Sequence, residues 1–178
     1  DRIWKDIERA AISAVSEPGK MFGAGRLTYF AVEGVLCGGT TLFCQLPCGR
    51  LLTYPVARLE SQPDPRGGDK YFVTCIKSSF VPKATEREWP RGVLYGGELF
   101  NNGVQGTAAS LLRAAIKRCE KKGLNPVLHV HDEIVNEVLR RLAEEKAAVF
   151  EEIMTTPPPW AAGLPLKAEV QILERFGK

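Results

Sequence analysis

Residues 127–138 read Val-Leu-His-Val-His-Asp-Glu-Ile-Val-Asn-Glu-Val, with apolar, β-prone residues on both sides of one acidic pair, Asp132 and Glu133. This pattern predicts two short antiparallel strands, 127–131 and 134–138, with the acidic pair in the turn between them. A turn at the tip of a rigid hairpin presents its carboxylates outward, and hard oxygen ligands on a fixed scaffold suit a divalent cation. A solvated hairpin turn is the alternative interpretation.

The segment before this hairpin, residues 96–113, reads Gly-Gly-Glu-Leu-Phe-Asn-Asn-Gly-Val-Gln-Gly-Thr-Ala-Ala-Ser-Leu-Leu-Arg. Apolar residues continue at helical spacing as far as Cys119, and Gly123 is a suitable helix end, so the sequence predicts a helix over residues 104–122. Three amide side chains stand at its start: Asn101, Asn102 and Gln105. Such side chains either cap a helix or donate hydrogen bonds to minor-groove acceptors, which all correctly paired bases share.

The two segments together resemble the C-terminal palm of family A DNA polymerases, the group of bacterial DNA polymerase I and the phage replicative enzymes. The shared order is Asn-x-x-Val-Gln-Gly-Thr-Ala-Ala, a basic amphipathic helix, Gly123 and then Val-His-Asp-Glu. Residues 94–97, Leu-Tyr-Gly-Gly, and the segment 160–165 look more like the phage branch. The resemblance is specific over residues 94–178 and weaker over residues 1–89.

This resemblance implies an α+β fold, with an antiparallel palm-type sheet that carries a catalytic β-hairpin and is backed by helices. Residues 1–178 would form a single partial domain, with the connection from fingers to palm and its hairpins in 1–93 and the palm core in 94–178. The hydrophobic pattern adds further elements. They are helices over 1–16 and 139–154, strands over 27–32, 41–46, 50–59 and 71–77, and a closing strand over 166–172 beside the catalytic hairpin.

The resemblance also implies a nucleotidyl transfer to a primer 3′ end, with primer-template DNA and a dNTP as partners. Two Mg²⁺ ions serve such a reaction by clamping the attacking oxygen and the leaving phosphate. Asp132 would ligate these ions, Glu133 would assist nearby, and His131 would lie at the primer terminus. The neighbouring His129 has no role implied by the family, and we expect it to be a partly buried sheet histidine on the same face as His131.

The DNA-binding residues implied by the resemblance lie upstream of the hairpin. Asn101 and Gln105 match the bacterial pattern and Asn102 the phage one, and these side chains would contact the minor groove next to the active site. The pattern Leu-Pro-x-Gly-Arg at 46–50 resembles a phage polymerase hairpin, which would bring Arg50 near DNA or the nucleotide. A solvated arginine in a turn is the alternative for Arg50.

The chain departs from the family in one respect that bears on activity. The second metal-binding aspartate of the family lies in a motif resembling Asp-x-x-x-Glu-(Ile/Leu)-x-x-Arg, and neither this motif nor the triphosphate-gripping fingers helix occurs in the 178 residues. One carboxylate pair cannot hold two Mg²⁺ ions in the required geometry. We therefore expect the isolated chain to bind Mg²⁺ weakly and not to polymerise. A companion chain, or a missing upstream region, would supply the rest of the palm and the fingers.

Two other interpretations remain open at this point. The first is a non-catalytic palm remnant that binds duplex DNA, and the second is an unrelated α+β domain. A retroviral-type polymerase is disfavoured because the sequence lacks a Tyr-x-Asp-Asp turn.

Composition says more about the cellular location of the protein than about its function. The net charge of +3 is too mild to indicate a nucleic-acid partner by itself, and no apolar run is long enough to span a bilayer, so we expect no membrane partner. Five cysteines without CxxC pairs favour reduced, structural thiols over a zinc site. The expected location is the cytoplasm, or the bacterial host cytoplasm or nucleoid for a phage-encoded protein.

Overall fold

A computed structural model describes residues 2–36, 38–65, 67–77 and 90–176. The chain divides into two compact units, Asp1–Gly106 and Thr107–Lys178. We call them unit 1 and unit 2. Among the described residues, no helix is both long enough and apolar enough to cross a membrane.

Unit 1 contains two antiparallel sheets and a helix before them. The elements are α1 (Arg2–Ser16), β1 (Met21–Ala24), β2 (Leu27–Leu36), β3 (Gly39–Gln45), β4 (Leu51–Tyr54), β5 (Arg58–Pro63), β6 (Asp69–Ile76) and β7 (Arg91–Leu94). Strands β1 to β4 form one sheet in chain order, and β5 to β7 form a second sheet in chain order. The long helix α2 (Gly96–Lys121) follows, and the division between the units lies within it.

The core of unit 1 lies under α1. This helix buries one stripe at helical spacing, which includes Ile7, Ala11 and Ala14, and the stripe belongs to the same buried cluster as Tyr29 and Leu42 of the first sheet. The helix predicted over residues 1–16 is therefore confirmed. The first turn of this helix is less buried than the rest, because Ile3 and Trp4 are nearly half exposed.

Helix α2 begins at Gly96, well before the predicted start at residue 104. Glycine disfavours helix by about 1 kcal/mol relative to alanine, so the glycines before residue 104 weaken the helical signal there. Tertiary packing overrides that preference, since Gly96, Leu99, Gly103 and Gly106 form one buried face. A Cβ at Gly103 would lie 2.7 Å from Leu27 Cδ1, so the absence of a side chain allows a close approach.

Unit 2 consists of the second half of α2, the hairpin β8 (Asn125–Val130) and β9 (Glu133–Glu137), and helix α3 (Ala143–Thr155). Its small core joins these three parts through the buried residues Ala115, Cys119, Leu124, Ile134 and Ile153. The predicted hairpin is confirmed and pairs antiparallel. The predicted closing strand over residues 166–172 is wrong, because this segment pairs with no strand of the described chain and the hairpin forms a two-stranded sheet.

The α+β class is confirmed by helices together with antiparallel sheets. Instead of one sheet, the described residues form three sheets of four, three and two strands. The failure at 166–172 has a physical reason: its burial alternates as in a strand, but a strand also needs a ladder partner for its backbone groups. The palm-type arrangement and the boundary at residue 93 stay predictions.

Candidate active-site hairpin and nucleic-acid interface

The tip of the hairpin is a two-residue loop formed by His131 and Asp132. Val130 pairs with Glu133, so Glu133 is the first residue of β9 and does not lie in the turn. The predicted turn at Asp132 and Glu133 is therefore one residue out of register. The reason is that His131 adopts a φ of +53°, and two-residue hairpin loops need a positive φ at a central position.

The three predicted catalytic residues are together at this tip, and each is exposed: His131, Asp132 and Glu133. None of their side chains makes a hydrogen bond or ion pair to a residue that the structure describes. Carboxylate oxygens are the ligands that Mg²⁺ prefers, so the donor chemistry of the pair fits this ion. No group of three or more His, Cys, Asp or Glu in the described ranges is placed to hold a metal, so the pair would be a partial ligand set.

The hairpin is anchored by β9 and exposed along β8. Ile134 is 8% exposed and belongs to the unit 2 core, whereas every residue of β8 except Pro126 is exposed. His129 pairs with Ile134 across the ladder and is exposed, so the prediction of a partly buried His129 is wrong. His131 lies in the loop and not on β8, so the strand alternation behind the expected shared face with His129 does not extend to it.

The predicted DNA-binding residues lie in unit 1. Asn102 and Gln105 are three residues apart on α2 and therefore share a helix face. They line a surface cavity of about 430 Å³, here called the α2 cavity. The whole lining is Leu52, Thr53, Tyr54, Asn102, Gln105 and Gly106. Asn101 is exposed and is not part of this lining.

Capping does not explain the two asparagines. Asn101 and Asn102 lie in the second turn of α2, inside the helix and past the positions where a side chain caps free N–H groups. An Asn in a helix interior is less favourable than Ala, Leu or Glu. Two consecutive asparagines therefore lower the helix propensity of this part of α2.

Asn102 is held by a tyrosine that sequence reasoning did not single out. Its Nδ2 donates a hydrogen bond of 3.3 Å to the hydroxyl of Tyr54, a residue 7% exposed at the end of β4. Burial raises the pKa of Tyr54 well above its usual range, and the hydrogen bond from Asn102 opposes this only in part. The hydroxyl is therefore neutral across the physiological range. Tyr54 and Asn102 are 48 residues apart in the sequence, so no local sequence motif predicts their contact.

Arg50 is not a solvated turn arginine, so that alternative is wrong. Its guanidinium Nη2 donates to the backbone carbonyl of Gly106 on α2, and the side chain is half-buried. Its Nε is buried and has no hydrogen-bond partner within the described part of the chain. Arg50 ends the connection between β3 and β4, and its hydrogen bond links this connection to α2. The acceptor residue, Gly106, also lines the α2 cavity.

Comparison with known proteins found DNA polymerases. The DNA polymerase of Bacillus phage SP02 is 35% identical over 177 residues, which are 99% of this chain and 25% of the phage protein. The thermostable DNA polymerase I of Thermus aquaticus is 42% identical over 79 residues, which are 42% of this chain and 9% of that enzyme. The Thermus thermophilus enzyme is 39% identical over 79 residues.

These matches confirm the resemblance to a segment of family A DNA polymerases. The match to the phage protein covers nearly all of this chain, and the chain spans about a quarter of the length of the phage protein. No protein-family model matches the chain. No solved structure matches it either.

Proposed function

We propose that this chain, a segment of the DNA polymerase family to which the phage and Thermus relatives belong, supplies the C-terminal palm part of a DNA-directed DNA polymerase. The observation that carries the proposal is the hairpin tip, where Asp132 and Glu133 stand exposed on a paired, core-anchored scaffold. The reaction is template-directed transfer of a nucleotide from a dNTP to a primer 3′ end. It takes place in the bacterial cytoplasm, where a phage-type enzyme meets its DNA.

In this role the carboxylates of Asp132 and Glu133 would hold Mg²⁺, which would supply charge neutralisation at the attacking 3′ oxygen and the leaving phosphate. Free carboxylates suit this task, because a carboxylate already engaged by Lys or Arg would have to lose that partner before it met a cation. His131 presents its imidazole beside the pair and donates a hydrogen bond to the primer-terminal sugar or phosphate. The short loop keeps these groups close together.

The site is completed by residues outside this chain. One adjacent carboxylate pair would not provide enough ligands for two Mg²⁺ ions. A companion chain or upstream polymerase region provides a further aspartate and the fingers that bind the dNTP. The isolated chain is therefore inactive in primer extension.

Duplex recognition is assigned to the amide side chains of α2. Asn102 and Gln105 point into one cavity and carry N–H donors, and every correct base pair offers minor-groove acceptors at similar positions. Such contacts read the geometry of a pair without reading its sequence. Asn101 offers an exposed amide beside them, and Arg50 contributes positive charge close to Gly106.

The metal-binding part of the proposal is tested with Mn²⁺, a paramagnetic substitute for Mg²⁺ that broadens nearby NMR signals. In the 178-residue chain, low Mn²⁺ should broaden the backbone amide signals of residues 131–134 first. Asp132→Asn should remove this preference, because it removes a charged oxygen ligand. Glu137→Gln, at the other end of β9, is the matched control and should leave it unchanged. Equal broadening in the wild type and Asp132→Asn would reject the metal role of the tip.

A non-catalytic duplex-binding palm remnant is the second candidate function. It is favoured by the α2 cavity, whose residues belong to unit 1 and include none of the hairpin residues. Asp132→Ala discriminates between the two functions in a polymerase assembled with its remaining parts. Loss of primer extension supports the first function, whereas a chain that binds duplex DNA and never supports extension supports the second.

A further inference from the structure

We propose that Tyr54 is a positioning residue, which fixes the amide of Asn102 so that the α2 cavity distinguishes a correctly paired primer end from a mismatched one. This inference rests on the proposed function, because it needs Asn102 to contact duplex DNA. It goes further by naming the residue that gives this contact its selectivity. Three features of the structure support it.

The first feature is that Tyr54 is rigid. It pairs with Leu42 of β3 at the end of β4, and its side chain belongs to the main buried cluster of unit 1. Only its hydroxyl has to reach the helix, where Asn102 lies 3.3 Å away. A tyrosine with a buried ring has little freedom to move, so its oxygen is a fixed acceptor.

The second feature is that the backbone of α2 is fixed at the same place. Gly103 follows Asn102, Gly106 follows Gln105, and both glycines are buried. A Cβ at Gly106 would lie 2.9 Å from Leu46 Cδ1 and 3.3 Å from Leu52 Cδ2, so α2 approaches these side chains closely. The backbone of Asn102 is therefore held, and its side-chain rotation is the remaining freedom. One hydrogen bond to Tyr54 removes that freedom.

The third feature is the number of donors. A side-chain amide has two N–H groups, and the bond to Tyr54 uses one, so the other remains for a ligand in the cavity together with the amide oxygen. A preorganised donor binds an acceptor at one place better than a rotating donor does. A correct base pair puts its minor-groove acceptor at such a place, and a mispair displaces it. Because the hydroxyl is neutral, Tyr54 does this without repelling DNA phosphates.

The test is a double-mutant cycle on DNA affinity, measured with the 178-residue chain at low salt on duplexes with a matched or a mismatched primer end. Tyr54→Phe should raise the Kd for matched DNA about three- to tenfold, the value of one hydrogen bond, and should affect mismatched DNA less. Asn102→Ala should weaken binding at least as much. Tyr54→Phe added to Asn102→Ala should then change nothing further.

The matched control is Tyr29→Phe, which removes the hydroxyl of another buried tyrosine of unit 1. It should leave the matched-to-mismatched ratio unchanged. An effect of Tyr54→Phe that persists in the Asn102→Ala background would overturn the inference, because Tyr54 would then act through the fold. If Asn102→Ala weakens binding and Tyr54→Phe does not, the inference fails and the proposed DNA contact stands. If Asn102→Ala has no effect, both fail.

A second measurement does not depend on the folding of any variant. In the wild-type chain, the Nδ2 protons of Asn102 should show nuclear Overhauser contacts to the ring protons of Tyr54 next to the hydroxyl. They should also exchange more slowly with water than those of the exposed Asn101. Absence of these contacts, with exchange as fast as in Asn101, would overturn the positioning role.

Discussion

At the scale of single residues, the hairpin depends on one unusual backbone conformation. His131 has a φ of +53°, in a region that costs ordinary L-residues about 1–2 kcal/mol and that His enters more readily than most. The two-residue loop needs this conformation, and it brings Asp132 to the tip. The identity of His131 thus matters for the shape of the hairpin tip, apart from the chemical role proposed for its imidazole.

Replacing His131 by a β-branched residue should weaken unit 2. His131→Val should lower the free energy of unfolding by about 1–2 kcal/mol, because valine tolerates positive φ poorly. His129→Val is the matched control, since His129 is exposed within β8, and it should change stability by about 0.5 kcal/mol or less. Urea unfolding, followed by amide signals of β9, measures both. Equal destabilisation by the two substitutions would contradict the role given to φ.

At the scale of elements, α2 shows where sequence patterning succeeds and where it fails. The apolar spacing predicted the second half of the helix correctly, because Ala115 and Cys119 are buried by their own hydrophobicity. The start of the helix, residues 96–103, was missed, because Gly96 and Gly103 weaken helix propensity while their small size fits the packing. Propensity is a local property, and the close approach that favours glycine depends on residues far along the chain.

The candidate site divides in the same way. The residues at the hairpin tip were predicted from a local motif, and only their register was wrong, because φ at His131 is not visible in the spacing. The exposed side of β8 was not predicted, since its apolar residues resemble those of a covered strand. The pairing of Tyr54 with Asn102 joins residues on different elements, so no local pattern carries it.

The packing of the start of α2 gives a prediction at this scale. A Cβ at Gly96 would collide with the backbone carbonyl oxygen of Trp4, which has no rotamer to adjust. Gly96→Ala should therefore destabilise unit 1 by about 1–3 kcal/mol, although alanine favours helix. Gly97→Ala is the matched control, because the atoms nearest to its new methyl belong to the side-chain rings of Tyr95 and Trp4. Thermal unfolding compares the two, and an unchanged midpoint for Gly96→Ala would contradict the packing account.

At the scale of the whole molecule, the chain matches about a quarter of the length of a phage DNA polymerase. The chain itself consists of two compact units. Each unit has its own buried cluster. Unit 1 carries the amide side chains proposed to read duplex geometry, and unit 2 carries the proposed metal ligands. This division of tasks fits a segment that contributes parts of an active site to a larger polymerase.

The most direct measurement is primer extension by a chimaera, in which this chain replaces the matching quarter of the Bacillus phage SP02 DNA polymerase. We predict Mg²⁺-dependent extension by the chimaera and a loss of about a hundredfold or more with Asp132→Asn, because charge stabilisation by metal contributes several kcal/mol. Glu137→Gln should retain activity. A folded chimaera that extends primers equally well with Asp132→Asn would contradict the account, since the hairpin tip would then not belong to the active site.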